Sequence, residues 1–170
     1  MIRGAVLRGP GKLGIEEINI PALCNDEILV KVAVNAFCNS TDGHIYKGDD
    51  PLLIASQRSG SEDGYPVLIG HEGCGYIVEI GKDVRGFQVG DHVLVVPGKS
   101  YIYPGNIITN GGLCAEYAKQ PAQNIVKIPL GLSDIEGALA FPLSEVVNSF
   151  RTAGLLPGDD VVILGPGPWG

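Results

Sequence analysis

One alternating run limits the folds open to this chain. Ile28, Val30, Val32 and Val34 alternate with Leu29, Lys31, Ala33 and Asn35. A period of two puts one set of side chains on each face, which is a half-buried strand and not a helix. Asn25-Asp26 before the run is turn chemistry. Tyr76 to Ile80 and Val93 to Val96 read as further strands linked through the turns of GKDVRGFQVGD. Ala115 to Lys119 and Asn124 to Ile128 read as two short strands separated by Pro121. Strands at such short spacing predict a compact β barrel or sandwich. The 25 glycines, set beside few aromatics, fit a turn-rich β structure. Lys47 to Tyr65 is polar and rich in Gly and Ser, and predicts a surface loop.

The pattern changes near residue 131. Ser133-Asp-Ile-Glu136 is a capping box, in which the serine hydroxyl and the glutamate carboxylate satisfy each other's backbone N–H groups. It predicts a short helix through Ala140. Pro142 suits the first turn of a second helix. Leu143, Val147 and Phe150 fall on one face of it, and Gly154 is placed to cap its end. A turn at Pro157-Gly-Asp and a strand at Val161 to Leu164 follow, running into Gly165, Gly167 and Gly170. A strand that ends in G-x-G-x-x-G is the opening of a dinucleotide-binding unit, where glycines let the backbone approach a pyrophosphate.

Charge and composition narrow the partners. The net charge of -7 argues against nucleic acid, which needs clustered Lys and Arg, and against an anionic membrane surface. No apolar run approaches the roughly 20 residues that cross a bilayer. The start, MIRGAVLRGPGKLG, lacks the apolar stretch of a secretory signal, so a cytoplasmic protein with reduced Cys24, Cys38, Cys74 and Cys114 is expected. No CxxC pair occurs, which excludes a four-cysteine structural zinc site.

The chemistry concentrates in two stretches. In GHEGCGYIVEIGKDV, Gly70 to Val84, His71 and Glu72 stand side by side among glycines that permit a sharp turn. FCNSTDGH supplies Cys38, two hydroxyls, Asp42 and His44 upstream. One Cys, one His and one acid make a three-ligand zinc site with an open position, the catalytic arrangement. The plain alternatives are a tight turn with an incidental His-Glu pair, a buried core thiol at Cys38 and a surface histidine at His44. His92, Cys24, Cys74 and Cys114 have only such plain readings.

Gly70-His71-Glu72, then Gly75, Gly81 and Val84, matches the signature of the zinc-containing medium-chain alcohol and polyol dehydrogenases. STDGHIYKG, GGLCAEYA, GLSDIEGALAFPLSEV and PGDDVVILGPGPWG resemble further landmarks of that family, in the same order. The resemblance covers the whole chain. It implies a GroES-like β barrel over residues 1–140, then a connecting helix and the first strand and glycine loop of a Rossmann domain over 141–170. It implies one catalytic zinc and no structural zinc, and NAD or NADP bound at Gly165, Gly167 and Gly170. It also implies a small alcohol or polyol substrate and a homo-oligomeric parent. Its metal ligands fall on Cys38 and His71, with Glu72 as a ligand in some states or a group behind the ligands. Asp42 would orient a metal-bound histidine. Thr41 would hydrogen-bond the substrate hydroxyl, and His44 would pass its proton towards solvent.

Two departures qualify the match. Asn39 to Gly43 place one residue more between Cys38 and His44 than the family usually has. Aligning on Thr41-Asp42 keeps the relay and moves Cys38 back by one, to be recovered by a local bulge; aligning on Cys38 makes Ser40 the hydroxyl. The second departure is Phe141, which stands where the family often has a ligand glutamate before Pro-Leu. Glu145 lies four residues on, on the same helical face, so Glu145 or Glu72 is expected to complete the site, against a solvated Glu145. The favoured function is a zinc- and NAD(P)-dependent alcohol or polyol dehydrogenase. Residues 1–170 alone are expected to be inactive, because one strand and its loop cannot form the dinucleotide crevice. A zinc-free reductase related to quinone reductases and a non-enzymatic GroES-like binding module are the alternatives.

Overall fold

The computed structural model describes residues 1–49, 65–98, 101–109, 111–165 and 167. Among them are ten strands in two five-stranded sheets. The strands are β1 (Ile2–Leu7), β2 (Leu13–Ile18), β3 (Glu27–Ala36), β4 (Val67–Leu68), β5 (Glu72–Ile80), β6 (His92–Val95), β7 (Tyr101–Tyr103), β8 (Ile107–Thr109), β9 (Tyr117–Pro121) and β10 (Ile125–Lys127). One sheet runs β2-β1-β4-β8-β7 and the other β10-β6-β5-β3-β9. All pairings are antiparallel except β4 with β8. The helices are α1 (Thr41–Lys47), α2 (Asp134–Ala138) and α3 (Ala140–Ala153). This is the mainly β, GroES-like architecture that the strand spacing and the resemblance led us to expect.

The alternation in β3 does what its period requires. Ile28 and Val30 are fully buried among Ile77, Val93, Val95, Leu113 and Ala118, while Lys31 and Ala33 face outward. Each such aliphatic side chain contributes about 1.5–3 kcal/mol when removed from water. A second core gathers Val6, Ile18, Leu68, Tyr103 and Ile107, and a third, under α1, gathers Leu7, Ile45, Val67 and Ile69. That third core seats α1 against the first sheet and so fixes the segment that carries Cys38 and Asp42.

Strand β5 begins at Glu72, four residues before the expected Tyr76, so the His-Glu pair sits at a strand entrance and not in a free turn. Its glycines act differently from the reading that all of them serve a sharp turn. Gly70 has φ +94°, a true turn conformation. At Gly73 and Gly75 the reason is close approach. A Cβ on Gly73 would lie 2.5 Å from the Val34 carbonyl oxygen, and one on Gly75 would lie 2.1 Å from that of Lys31. The β3–β5 register shifts at Leu29/Val30 and Val32/Val34, and the bulged β3 backbone crowds β5 there.

The capping box forms as expected: Ser133 Oγ accepts the Glu136 N–H, and Glu136 accepts the Ser133 N–H at 2.8 Å. α3 starts at Ala140, with Pro142 still in the first turn, and ends at Gly154 with φ +71°. The Leu143, Val147 and Phe150 face of α3 is exposed. One expectation fails. Val161–Leu164 forms no strand, because no described segment offers it a ladder partner. β1, β2, β4, α1, β7 and β8 were not anticipated. β9 sits two residues later than read and ends on Pro121, where no N–H is needed. Most of the loop read at Lys47 to Tyr65, and Gly170 of the glycine motif, lie outside the described residues.

Candidate metal centre

Strand pairing brings the two chemical stretches together. Ala36, the last residue of β3, pairs with Glu72, the first of β5. Cys38 lies two residues past that pair, so it emerges beside His71 and Glu72. The turn at Asn39–Ser40 then leads into α1, and this turn-and-helix junction places Cys38, without a bulge at the cysteine itself. The ligand atoms of Cys38, His71 and Glu72 all lie within 4.8 Å of one another.

Asp42 holds the arrangement from behind. It is fully buried. One carboxylate oxygen accepts the Cys38 N–H at 3.0 Å, and the other accepts the Gly70 N–H at 3.3 Å. That second oxygen also lies 3.4 Å from His71 Nδ1. With Nδ1 turned to Asp42, the lone pair available to a metal is on Nε2, which stands 3.7 Å from Glu72 Oε1. Burial would by itself lower the His71 pKa, but the Asp42 hydrogen bond and charge, with Cys38 and Glu72 behind them, raise it. Burial likewise opposes ionisation of Cys38. Hydrogen bonds from the Thr41 backbone and hydroxyl and from Ser40 outweigh it, and the thiol falls below its ordinary pKa. Cys114 is pushed up to about 11 by burial, so it lacks the thiolate character of Cys38.

The cluster opens into a cavity of about 300 Å³ whose walls include Ser40, Thr41, Pro97, Phe141 and Glu145. Both candidate hydroxyls therefore reach it. Phe141 meets the His71 ring edge-on, with centroids 6.4 Å apart. Glu145 lines the same cavity but stands outside the three-residue cluster. An adjoining cavity of about 690 Å³ is lined by Cys38 and Glu72 on one side and by Ile163, Gly165 and Gly167 on the other. The glycine loop and the donor cluster thus share one space. His44 is half-exposed, with Nδ1 2.7 Å from Asp49, and is absent from both linings.

The chemistry of the donors fits zinc: a thiol whose pKa is lowered by its hydrogen bonds, an imidazole held by a carboxylate, a second carboxylate, and an open side towards a cavity. All four cysteines are free thiols.

Residues 24–130 match the family described as Alcohol dehydrogenase GroES-like domain. Sorbitol dehydrogenase of Bombyx mori is 32% identical over 98% of this chain and 50% of its own length. L-threonine 3-dehydrogenase of Pseudoalteromonas atlantica is 32% identical over 98% of this chain and 51% of its own. Among solved structures, 2R,3R-butanediol dehydrogenase of Bacillus subtilis superposes with a TM-score of 0.80 at 28% identity, covering 99% of this chain and 52% of that one. The chain spans about half the length of the curated relatives it matches. No helix among the described residues is long and apolar enough to cross a membrane.

Proposed function

The chain belongs to the medium-chain alcohol dehydrogenase family through its GroES-like domain, and from that premise we propose that it carries the metal-binding half of a zinc- and NAD(P)-dependent dehydrogenase of alcohols or polyols. The observation that carries this reading is the convergence of Cys38, His71 and Glu72 at the floor of a cavity, with Asp42 behind His71. The relatives named above act on sorbitol, L-threonine and butane-2,3-diol. Each of these carries a secondary hydroxyl beside a second hydroxyl or an amine. We take such a secondary alcohol as the substrate class.

Cys38 and His71 would hold the zinc, with Glu72 as third ligand and Glu145 within reach of the same cavity. Zinc there would supply the Lewis acidity that makes an alcohol easier to deprotonate, and the nicotinamide would accept the hydride. The chain's own residues do the rest. Asp42 keeps the proton of His71 on Nδ1 and so leaves Nε2 free to bind. Thr41, on the cavity wall, accepts the hydrogen bond of the substrate hydroxyl. His44, exposed on the same helix, passes the proton to solvent through an intervening water, since it does not line the cavity. Phe141 walls the pocket with an apolar edge that excludes water from the imidazole. Gly165 and Gly167 let the cofactor's phosphates approach the backbone.

The test uses the full-length protein purified without added metal. Zinc per chain is measured by elemental analysis. Reduction of NAD and of NADP is then followed with sorbitol, threonine and butane-2,3-diol. The expected result is turnover of at least one of these alcohols, and in Cys38→Ser the loss of that turnover together with one zinc per chain. Full turnover by metal-free protein would overturn the reading in favour of a zinc-free reductase, for which Phe141 at the third-ligand position is the supporting feature.

A further inference from the structure

A second group of a thiol, an imidazole and a carboxylate lies elsewhere in the fold. β5 and β6 run antiparallel with Tyr76 opposite His92 and Cys74 opposite Leu94. Alternate residues share a face, so Cys74, Tyr76 and His92 project from one side of this pair. α2 packs on that side, and its first residue is Asp134. The ligand atoms of Cys74, His92 and Asp134 lie within 4.8 Å of one another. None of the three lines the cavities described above.

The contacts there are only partly resolved by protein groups. The Cys74 thiol donates to the Asp134 backbone carbonyl at 3.0 Å. The Tyr76 hydroxyl donates to Asp134 Oδ1 at 2.8 Å, and its ring stacks on His92 with centroids 4.8 Å apart. His92 Nε2 sits 3.2 Å from the same Oδ1, yet it is buried and makes no hydrogen bond. The contact is close but misaligned. A buried ring nitrogen left in that state is an unmet donor or acceptor, and a cation between the nitrogen and the carboxylate satisfies both.

We propose that Cys74, His92 and Asp134 form a second divalent-metal site, fitted to zinc, that pins α2 to the β5–β6 pair. The mixed sulfur, nitrogen and oxygen set is one that zinc takes. In a tetrahedral site its donors stand about 3.3–3.8 Å apart, given zinc–ligand bonds of about 2.0–2.3 Å, so the present cluster needs only a small contraction. On binding, Cys74 gives up its contact to the Asp134 carbonyl and releases its proton to solvent. His92 carries its proton on Nδ1 and binds through Nε2. A water fills the fourth position at the partly exposed edge formed by Asp134. The lack of a CxxC pair excluded a four-cysteine structural zinc site, and the resemblance implied one catalytic zinc alone; this mixed donor set departs from that second expectation. The site is independent of the enzymatic reading.

The test is cobalt binding to the full-length protein after chelation under reducing conditions, in a Cys38→Ser background that removes the cavity thiolate. We expect a cobalt–thiolate absorption band that saturates near one equivalent of cobalt per chain, disappears in Cys74→Ser and requires at least about tenfold more metal in His92→Gln or Asp134→Asn. Metal should also slow amide exchange in α2. Absence of the band in the Cys38→Ser background overturns the proposal, and so does a band that survives Cys74→Ser. If Cys74→Ser fails to fold, as judged by circular dichroism, the His92→Gln and Asp134→Asn titrations decide alone: unchanged affinity in both overturns the site.

Discussion

Cys38-His71-Glu72 and Cys74-His92-Asp134 offer the same three donor types, each set within 4.8 Å, and β5 carries members of both. Their surroundings differ. The first borders two cavities and has a buried carboxylate, Asp42, behind its imidazole. Hydrogen bonds lower its thiol's pKa. The second lies beneath α2, borders neither cavity and is partly exposed only at its Asp134 edge, and burial together with Asp134 pushes its thiol up to about 11. A cluster becomes a reaction centre through access and a prepared ligand, not through its list of residues. The same list packed beneath a helix, away from both cavities, is suited to stitching elements together.

Asp42→Ala should separate the two most strongly. It orphans the buried N–H group of Gly70 and the part-buried one of Cys38, and frees the His71 ring. A buried donor without a partner costs about 1–3 kcal/mol, so thermal unfolding should register a loss of about 2–4 kcal/mol. Zinc affinity at the cavity should fall about 10–100-fold, while cobalt binding at Cys74 in the Cys38→Ser background stays unchanged. Loss of both together would mean that the clusters are one cooperative unit.

Gly75→Ala tests their shared strand. The new Cβ would meet the Lys31 carbonyl oxygen at 2.1 Å, and only backbone movement relieves that. A cost of about 1–3 kcal/mol is expected in denaturant unfolding. Metal binding should weaken at both clusters, since Glu72 and Cys74 must shift with β5. If only one weakens, the strand bends locally and the clusters are uncoupled.

Phe141→Glu sharpens the contrast from the other side by restoring a carboxylate at the mouth of the first cluster. Zinc retention against a competing chelator should rise about tenfold, the low end of what supporting groups are worth at metal sites. The Cys74 site should not respond. No gain would mean that residue 141 cannot reach the metal and that Glu72 or Glu145 already completes the coordination.

What could be read beforehand follows the same division. The Ser133–Glu136 box was legible because its hydrogen bonds join residues three apart. His71 and Glu72 were legible because they are neighbours among glycines. That Cys38 joins them was read from the residue types that zinc takes and from the family resemblance, while the Ala36–Glu72 pairing is what brings the two stretches together. Cys74 and His92 looked bland because their meeting depends on the β5–β6 register and on where α2 docks. β1 hid behind Gly4, which breaks the apolar pattern because Leu68 and Ile18 crowd it. α1 hid because it is a single short helix without a side-chain cap. The apolar stretch Val161–Leu164 has the composition of a strand, but composition cannot supply the neighbour a strand requires.

Tyr76→Phe has the smallest expected effect and probes the second cluster most finely. The substitution removes only the hydroxyl that donates to Asp134 Oδ1 and leaves the ring stacked on His92. In metal-free protein, Asp134 loses a partner at the edge of α2, so the melting temperature should fall slightly, by less than in any destabilised variant above. With metal bound, Asp134 Oδ1 is already engaged by the cation and the hydroxyl is a bystander, so the difference between the variant and the wild type should vanish. Calorimetry of the two proteins, each with and without zinc in the Cys38→Ser background, gives the four melting temperatures required. A decrement that persists unchanged with zinc would mean that Tyr76 and Asp134 form a plain hydrogen-bonded latch, and the two clusters would then differ in kind as well as in access.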